Sequence, residues 1–133
     1  MIEESFVRFG TAKLLKEVGF DVPCRGVYIT DRTGHYEFRE YDNKQTTDDL
    51  CWNTVDGFQY EYLAPTQALA ARWLCEYKMI EVSTAYCRHK KSWYYQVGYL
   101  DCKDEDVIFG YDYASRQYAM EAGLQKAINL IKK

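Results

Sequence analysis

Two stretches of this chain, about 55 residues apart, carry the same succession of patterns. Each begins with a short amphipathic helix opening on threonine and continues into two aromatic strands joined by a polar turn. In the first, Thr11-Ala-Lys-Leu-Leu-Lys-Glu leads to Val27-Tyr-Ile-Thr, a turn, and His35-Tyr-Glu-Phe-Arg-Glu-Tyr. In the second, Thr66-Gln-Ala-Leu-Ala-Ala-Arg-Trp-Leu leads to Ile80-Glu-Val-Ser-Thr-Ala-Tyr, a turn, and Ser92-Trp-Tyr-Tyr-Gln-Val-Gly-Tyr. A switch of hydrophobic period from 3.6 to 2, made twice, leaves few architectures open. It predicts an α+β fold in which two β-hairpins form an antiparallel sheet with about three helices packed on one face. The expected order is α-β-β-(β)-α-β-β-α, with an internal pseudo-repeat.

The first helix is expected over 6–18 with Ser5 as N-cap, or from Thr11 if Gly10 breaks its start; Gly19 is its natural stop. Strands are expected over 26–30 and 35–41 around the turn Asp31-Arg-Thr-Gly34. Alternation sets Val27 and Ile29 opposite Tyr36 and Phe38, and leaves Tyr28, Thr30, Glu37 and Arg39 on the other face. Residues 42–57 are polar and read as a loop, and 58–63 as an extra short strand. A second helix follows over 66–77, with Leu69, Trp73 and Tyr77 on its stripe. The second hairpin pairs 79–87 with 92–100 across Arg88-His-Lys-Lys91, and places Tyr94, Gln96 and Gly98 opposite Trp93, Tyr95, Val97 and Tyr99. Residues 101–106 read as an acidic loop. A last helix over 115–132, capped by Asp112 or Ser115, buries Met120, Leu124, Ala127, Ile128 and Ile131. With 133 residues and no linker or low-complexity tract, one domain spanning 1–133 is expected.

Chemistry-bearing motifs are sparse. His35 and His89 both fall at hairpin turns, without the orienting carboxylate and nucleophile that a catalytic histidine requires. Cys24, Cys51, Cys75, Cys87 and Cys102 are odd in number and contain no C-x-x-C, so buried reduced thiols fit better than a disulfide framework or a zinc site. Asp104 and Asp106 fit the first two positions of a calcium loop, but Ile108 and Phe109 stand where an acid and a glycine are needed. Neither G-x-G-x-x-G nor G-x-x-x-x-G-K-[ST] occurs. No catalytic residue, metal or cofactor is therefore expected.

What remains is surface. Thirteen tyrosines suit half-buried sheet faces and interfaces alike, because the ring buries while the hydroxyl stays hydrogen-bonded. A non-enzymatic module binding a protein partner, or a second copy of the chain, is the first expectation. Its contact surface would be the open sheet face carrying Tyr28, Glu37, Arg39, Tyr94 and Gln96. The alternative is a nucleic-acid accessory protein using Arg88, Lys90 and Lys91 beside the aromatic strand. A net charge of −3 weighs against general phosphate binding. A small enzyme with an unrecognised site is the third reading. The opening Met-Ile-Glu-Glu-Ser has no basic region followed by an apolar stretch, and no apolar run is long enough for a membrane span, so a cytoplasmic protein is expected.

Two segments also carry a resemblance. Pro65-Thr-Gln-Ala-Leu-Ala-Ala-Arg-Trp-Leu74 has the form PTQ-x-L-x-x-x-W-L, and Glu121-Ala-Gly-Leu-Gln-Lys-Ala127 the form EAGL-x-x-A. Together with their flanks they resemble a group of small uncharacterised proteins encoded by phages and prophages of gut anaerobic bacteria. The likeness covers roughly half of the chain. It implies a bacterial cytoplasm and a mobile-element origin, and brings no activity with it.

Overall fold

The structure, a computed structural model, describes residues 5–31, 33–45 and 60–132. The described residues form an α+β fold with three α-helices and two three-stranded antiparallel sheets. In chain order the elements are α1 (Phe9–Glu17), β1 (Cys24–Thr30), β2 (Tyr36–Gln45), β3 (Tyr60–Ala64), α2 (Gln67–Lys78), β4 (Ile80–Cys87), β5 (Ser92–Tyr99), β6 (Ile108–Tyr113) and α3 (Arg116–Ile131). The chain divides into two compact units. One is Phe6–Thr66; the other runs from Gln67 onward and includes Ser5. The expected helix-hairpin repeat is present in both, but the two hairpins lie in separate sheets rather than side by side in one.

In the N-terminal unit, α1 starts at Phe9 instead of at 6. The reason is that Phe6 is drawn into a β-bridge with Thr66, and the Val7 amide donates to the Pro65 carbonyl at 2.9 Å. Ser5 is therefore not the cap; Arg8 holds that position, and its side chain does not cap the helix. The helix buries Thr11, Ala12 and Leu15. Its end is built as the sequence suggests. Gly19 takes φ +93°, its amide donates to the Lys16 carbonyl, and the Phe20 amide donates to the Leu15 carbonyl at 3.0 Å. This paired arrangement satisfies the last carbonyls and sets buried Phe20 near buried Leu15.

The β1–β2 hairpin differs from the expected register by one residue. Val27 pairs with Arg39, Tyr28 with Phe38, Ile29 with Glu37 and Thr30 with Tyr36. Five residues, 31–35, therefore separate the last paired residues, one more than the expected four, and the Asp31 amide donates to the His35 carbonyl within them. A one-residue slip reverses every side chain across the sheet. Tyr28 thus shares a face with Tyr36 and Phe38, while Arg39 and Glu37 join Val27 and Ile29. The expected loop over 42–57 is also shorter at its start, since 42–45 continue β2; the rest of it, with Cys51, lies outside the described residues. The anticipated extra strand is present as β3 and pairs with β1, giving the order β2-β1-β3.

In the C-terminal unit, α2 buries Ala70, Trp73 and Leu74, whereas Tyr77, expected on the stripe, is exposed. β4 and β5 pair from Ile80–Tyr99 to Cys87–Ser92, as the alternation predicts. The segment after the acidic turn is not all loop. Ile108–Tyr113 forms β6 on the other edge of β5, giving the order β4-β5-β6. The third strand thus joins the first hairpin strand in one unit and the second in the other. Ser115 caps α3, its Oγ accepting from the Tyr118 amide at 3.2 Å. Leu124, Ala127 and Ile128 are wholly buried, each large side chain contributing about 1.5–3 kcal/mol. Met120 and Ile131, expected beside them, are only part-buried.

Glycines let α3 and β6 close on the same ring. A Cβ on Gly123 would stand 2.9 Å from Val82 Cγ1 and 3.1 Å from Tyr95 Cβ, and a Cβ on Gly110 would meet the Tyr95 ring. Tyr95 is accordingly buried, and its burial pushes the phenol above the usual tyrosine range, with Tyr113 adding to the shift. Where α2 meets α3, Gln67 Nε2 donates to the Gln117 carbonyl at 3.1 Å and to Glu121 Oε1 at 2.9 Å. That bond helps to satisfy a carboxylate only 6% exposed.

Candidate aromatic interaction face

The helices of the C-terminal unit pack on the side of its sheet that holds Val82, Tyr95 and Val97. Alternation sends the intervening residues to the opposite side. Pairing there places Tyr94 beside Ala85, Gln96 beside Ser83 and Phe109, and Glu81 beside Gly98. β6 carries a bulge beside Tyr94. Trp93 pairs with Tyr113 and Tyr95 with Gly110, so Tyr111 and Asp112 together oppose Tyr94, with Asp112 at φ +74°. Alternation from Phe109 sets Tyr111 on the same face as Tyr94, and the extra residue carries Tyr113 to the opposite face, beside Trp93 and Tyr95.

Three rings therefore form one patch. Tyr94 lies 5.3 Å from Tyr111 and 6.2 Å from Phe109, and Phe109 and Tyr111 stack at 6.0 Å with 12° between their planes. Phe109 and Tyr111 remain 45% and 43% exposed. Large rings held open on a sheet face are costly to leave in water and are favoured anchors of interfaces.

The two ends of this face carry opposite charge. At one end is the β4–β5 tip, where Arg88, Lys90 and Lys91 are exposed and Lys91 turns with φ +54°. Lys90 Nζ sits 4.3 Å above the Tyr111 ring, a cation–π contact that draws the tip over the aromatic face. At the other end, the backbone and side chain of Val107 and the Cys102 thiol lie against Gly98. They bring the exposed turn Asp104–Asp106 to the same side. Glu81 adds to the acidic end, and Lys103 is the one base within it. About 25 Å separates the ends, from the rise of eight extended residues in β5.

The expected site residues are thus divided. Tyr94 and Gln96 stand on this face, joined by Phe109 and Tyr111, for which the sequence analysis predicts no strand. Lys90 is brought onto it, with Arg88 and Lys91 at its rim. Tyr28 and Arg39 are not part of it, and they do not share a face with each other. Tyr28 donates its hydroxyl to the Val7 carbonyl at 3.0 Å and packs against Phe9, Tyr36 and Phe38, as part of the N-terminal unit's own ring cluster. Arg39 pairs with Glu37 at 2.7 Å in solvent, a contact of small energy. Glu37, expected on the same surface, lies there with it.

The other candidates resolve simply. His35 and His89 are exposed in turns. Among the described residues, Cys24, Cys75, Cys87 and Cys102 form no disulfide, and the Cys24 thiol donates to the Gly26 carbonyl at 3.4 Å. Among the described residues, no three His, Cys, Asp or Glu side chains gather as a metal site would need, and no helix is long and apolar enough to cross a membrane. A scan against protein-family models and searches of curated proteins and of solved structures each find no match to the chain.

Proposed function

We propose that this chain is a non-enzymatic protein-interaction module, and that it binds through the Tyr94–Phe109–Tyr111 face of the β4-β5-β6 sheet. The observation that carries the reading is a patch of three touching rings, two of them exposed, between a basic and an acidic end. The aromatic centre supplies buried area, and the charged ends supply orientation and exclude wrong partners. The likeness of α2 and α3 to phage- and prophage-encoded proteins belongs to the same proposal, as does a bacterial cytoplasm.

A second reading draws on the Lys90–Tyr111 contact. A ring flanked by Arg88, Lys90 and Lys91 has the ingredients of a single-strand nucleic-acid platform. Against it, a strand extended along the face would run its phosphates into Glu81 and the Asp104–Asp106 turn. A protein with its own charge pattern meets no such conflict.

A photo-crosslinking residue placed at Tyr111, in the chain expressed in a bacterial host, separates the two. Protein adducts lost when Phe109 is changed to Ser support the interaction face. Adducts to nucleic acid alone, or none to protein, overturn it in favour of the second reading or of neither.

A further inference from the structure

Resting on the reading of this face as a protein-binding surface, we infer that its occupant is a second copy of the chain. The two copies would dock face to face and antiparallel, about a two-fold axis close to Gln96. A two-fold interface uses the same patch on both partners, so the patch must complement itself. A patch of one sign cannot do this. A patch basic at one end and acidic at the other can, and only when the partner is reversed.

The ends are suited to it. The tip with Arg88, Lys90 and Lys91 stands at one end of the face and the Asp104–Asp106 turn with Glu81 at the other. Both ends come onto the aromatic side of the sheet, through Lys90 over Tyr111 and through Val107 and Cys102 over Gly98. Because the two ends belong to one rigid sheet, their spacing is identical in both copies. Reversal therefore sets each basic tip on the partner's acidic turn in a single register. Phe109, which pairs with Gln96, meets its two-fold mate at the centre, with Tyr94 and Tyr111 on the side toward the basic tip.

Three strands offer a face about 25 Å long and about 10 Å across. That is small beside a standard interface of roughly 800 Å² per partner, so the dimer is weak and concentration-dependent. Its rim pairs are exposed, so it loosens as salt is raised.

Sedimentation of the full chain from micromolar to sub-millimolar concentration tests this. Two charge-reversed forms are compared, K90E/K91E and D104K/E105K. All four positions are exposed loop sites, and circular dichroism checks that each form folds. The expected result is a dimer whose Kd rises at least tenfold between low and high salt. Each reversed form alone dimerises at least tenfold more weakly, because like charges then face each other at both ends. Mixing the two forms restores a one-to-one pair close to wild-type affinity, since the acidic-tipped copy then meets the basic-turned one. A wild-type chain that stays monomeric, a dimer indifferent to the reversals, or a mixture that fails to pair overturns the proposal. The crosslink at Tyr111 keeps the two levels distinct. Adducts only to another protein defeat self-pairing and leave the interaction face standing, whereas no protein adduct defeats both.

Discussion

Gly110→Ala is the sharpest probe of how the C-terminal unit holds together. An added Cβ there would meet three atoms of Tyr95: Cε2, Cζ, and the hydroxyl oxygen at 2.8 Å. A ring tip in open space would swing aside at little cost. This one is 8% exposed, and its root is held on the far side by α3. The Cβ and Cγ of Tyr95 stand 3.1 and 3.3 Å from where a Cβ on Gly123 would be. The ring cannot leave β6 without driving into α3, so the strand must yield. Overpacking of this kind costs about 1–3 kcal/mol, and the clamp on both sides puts Gly110→Ala near the top, at about 3 kcal/mol. In urea this lowers the unfolding midpoint by about 1–2 M, with little change in slope. A smaller side chain should relieve the clash. Tyr95→Leu alone leaves a cavity and costs about 2 kcal/mol. The double variant should then cost at least ~1 kcal/mol less than the sum. Gly34→Ala supplies the contrast, for Gly34 has φ +92° with nothing near its missing Cβ. Its cost is purely backbone, about 1 kcal/mol, and Tyr95→Leu does not relieve it. A Gly110→Ala protein within about 0.5 kcal/mol of wild type, or costs that simply add, would refute the clamp.

Three further outcomes are expected. Ser115→Ala removes the oxygen that receives the Tyr118 amide and should lower stability by about 1 kcal/mol in chemical denaturation, with Ser115→Asp retaining most of it. Gln67→Ala takes a donor from the buried Glu121 carboxylate and should cost about 1–3 kcal/mol, less when combined with Glu121→Gln. Asp31 is held below the usual carboxylate range, first by the Thr33 hydroxyl and then, against an opposing desolvation, by the Thr33 and His35 amides and the His35 side chain. A lowered folded value means that its contribution is present above the ordinary carboxylate pKa of 3.8 and is lost as pH falls through the folded value. The stability gap between wild type and Asp31→Asn should therefore shrink on acidification below that point. A gap that widens there would contradict the bonding seen at the turn.

The helices and the second hairpin were legible because their patterns are unambiguous. Ile80, Val82, Tyr95 and Val97 alternate in the expected sense, and Ser115 precedes a clear helical stripe. The first hairpin was misread by one residue because both faces of β1 are apolar enough to bury. Val27 and Ile29 are core, and Tyr28 and Thr30 are drawn in by the rings around Phe9. Alternation alone could not choose between them, and the choice fell to a turn one residue longer than its glycine suggests. β6 was missed for a different reason. Gly110 in its middle and Asp112 at positive φ carry the marks of a loop, yet the first makes room for Tyr95 and the second forms the bulge. Losing β6 hid Phe109 and Tyr111, and with them half of the aromatic face. The signal that could have found them was the alternation Ile108-Phe-Gly-Tyr, set directly after an acidic turn.

The pairing of Phe6 with Thr66, and of the Val7 amide with the Pro65 carbonyl, has a bearing on ancestry. The segment Phe6–Thr66 begins and ends at neighbouring points, and the residues just outside it, Ser5 and Gln67, are themselves hydrogen-bonded at 2.7 Å. A segment with adjacent ends can be spliced into a loop, or removed from one, without disturbing the host's strand order. Two similar helix-hairpin pieces in one chain then need not come from tandem duplication alone. The same closeness makes Ser5 and Gln67 the points at which the β4-β5-β6 unit is joined directly when the N-terminal unit is removed.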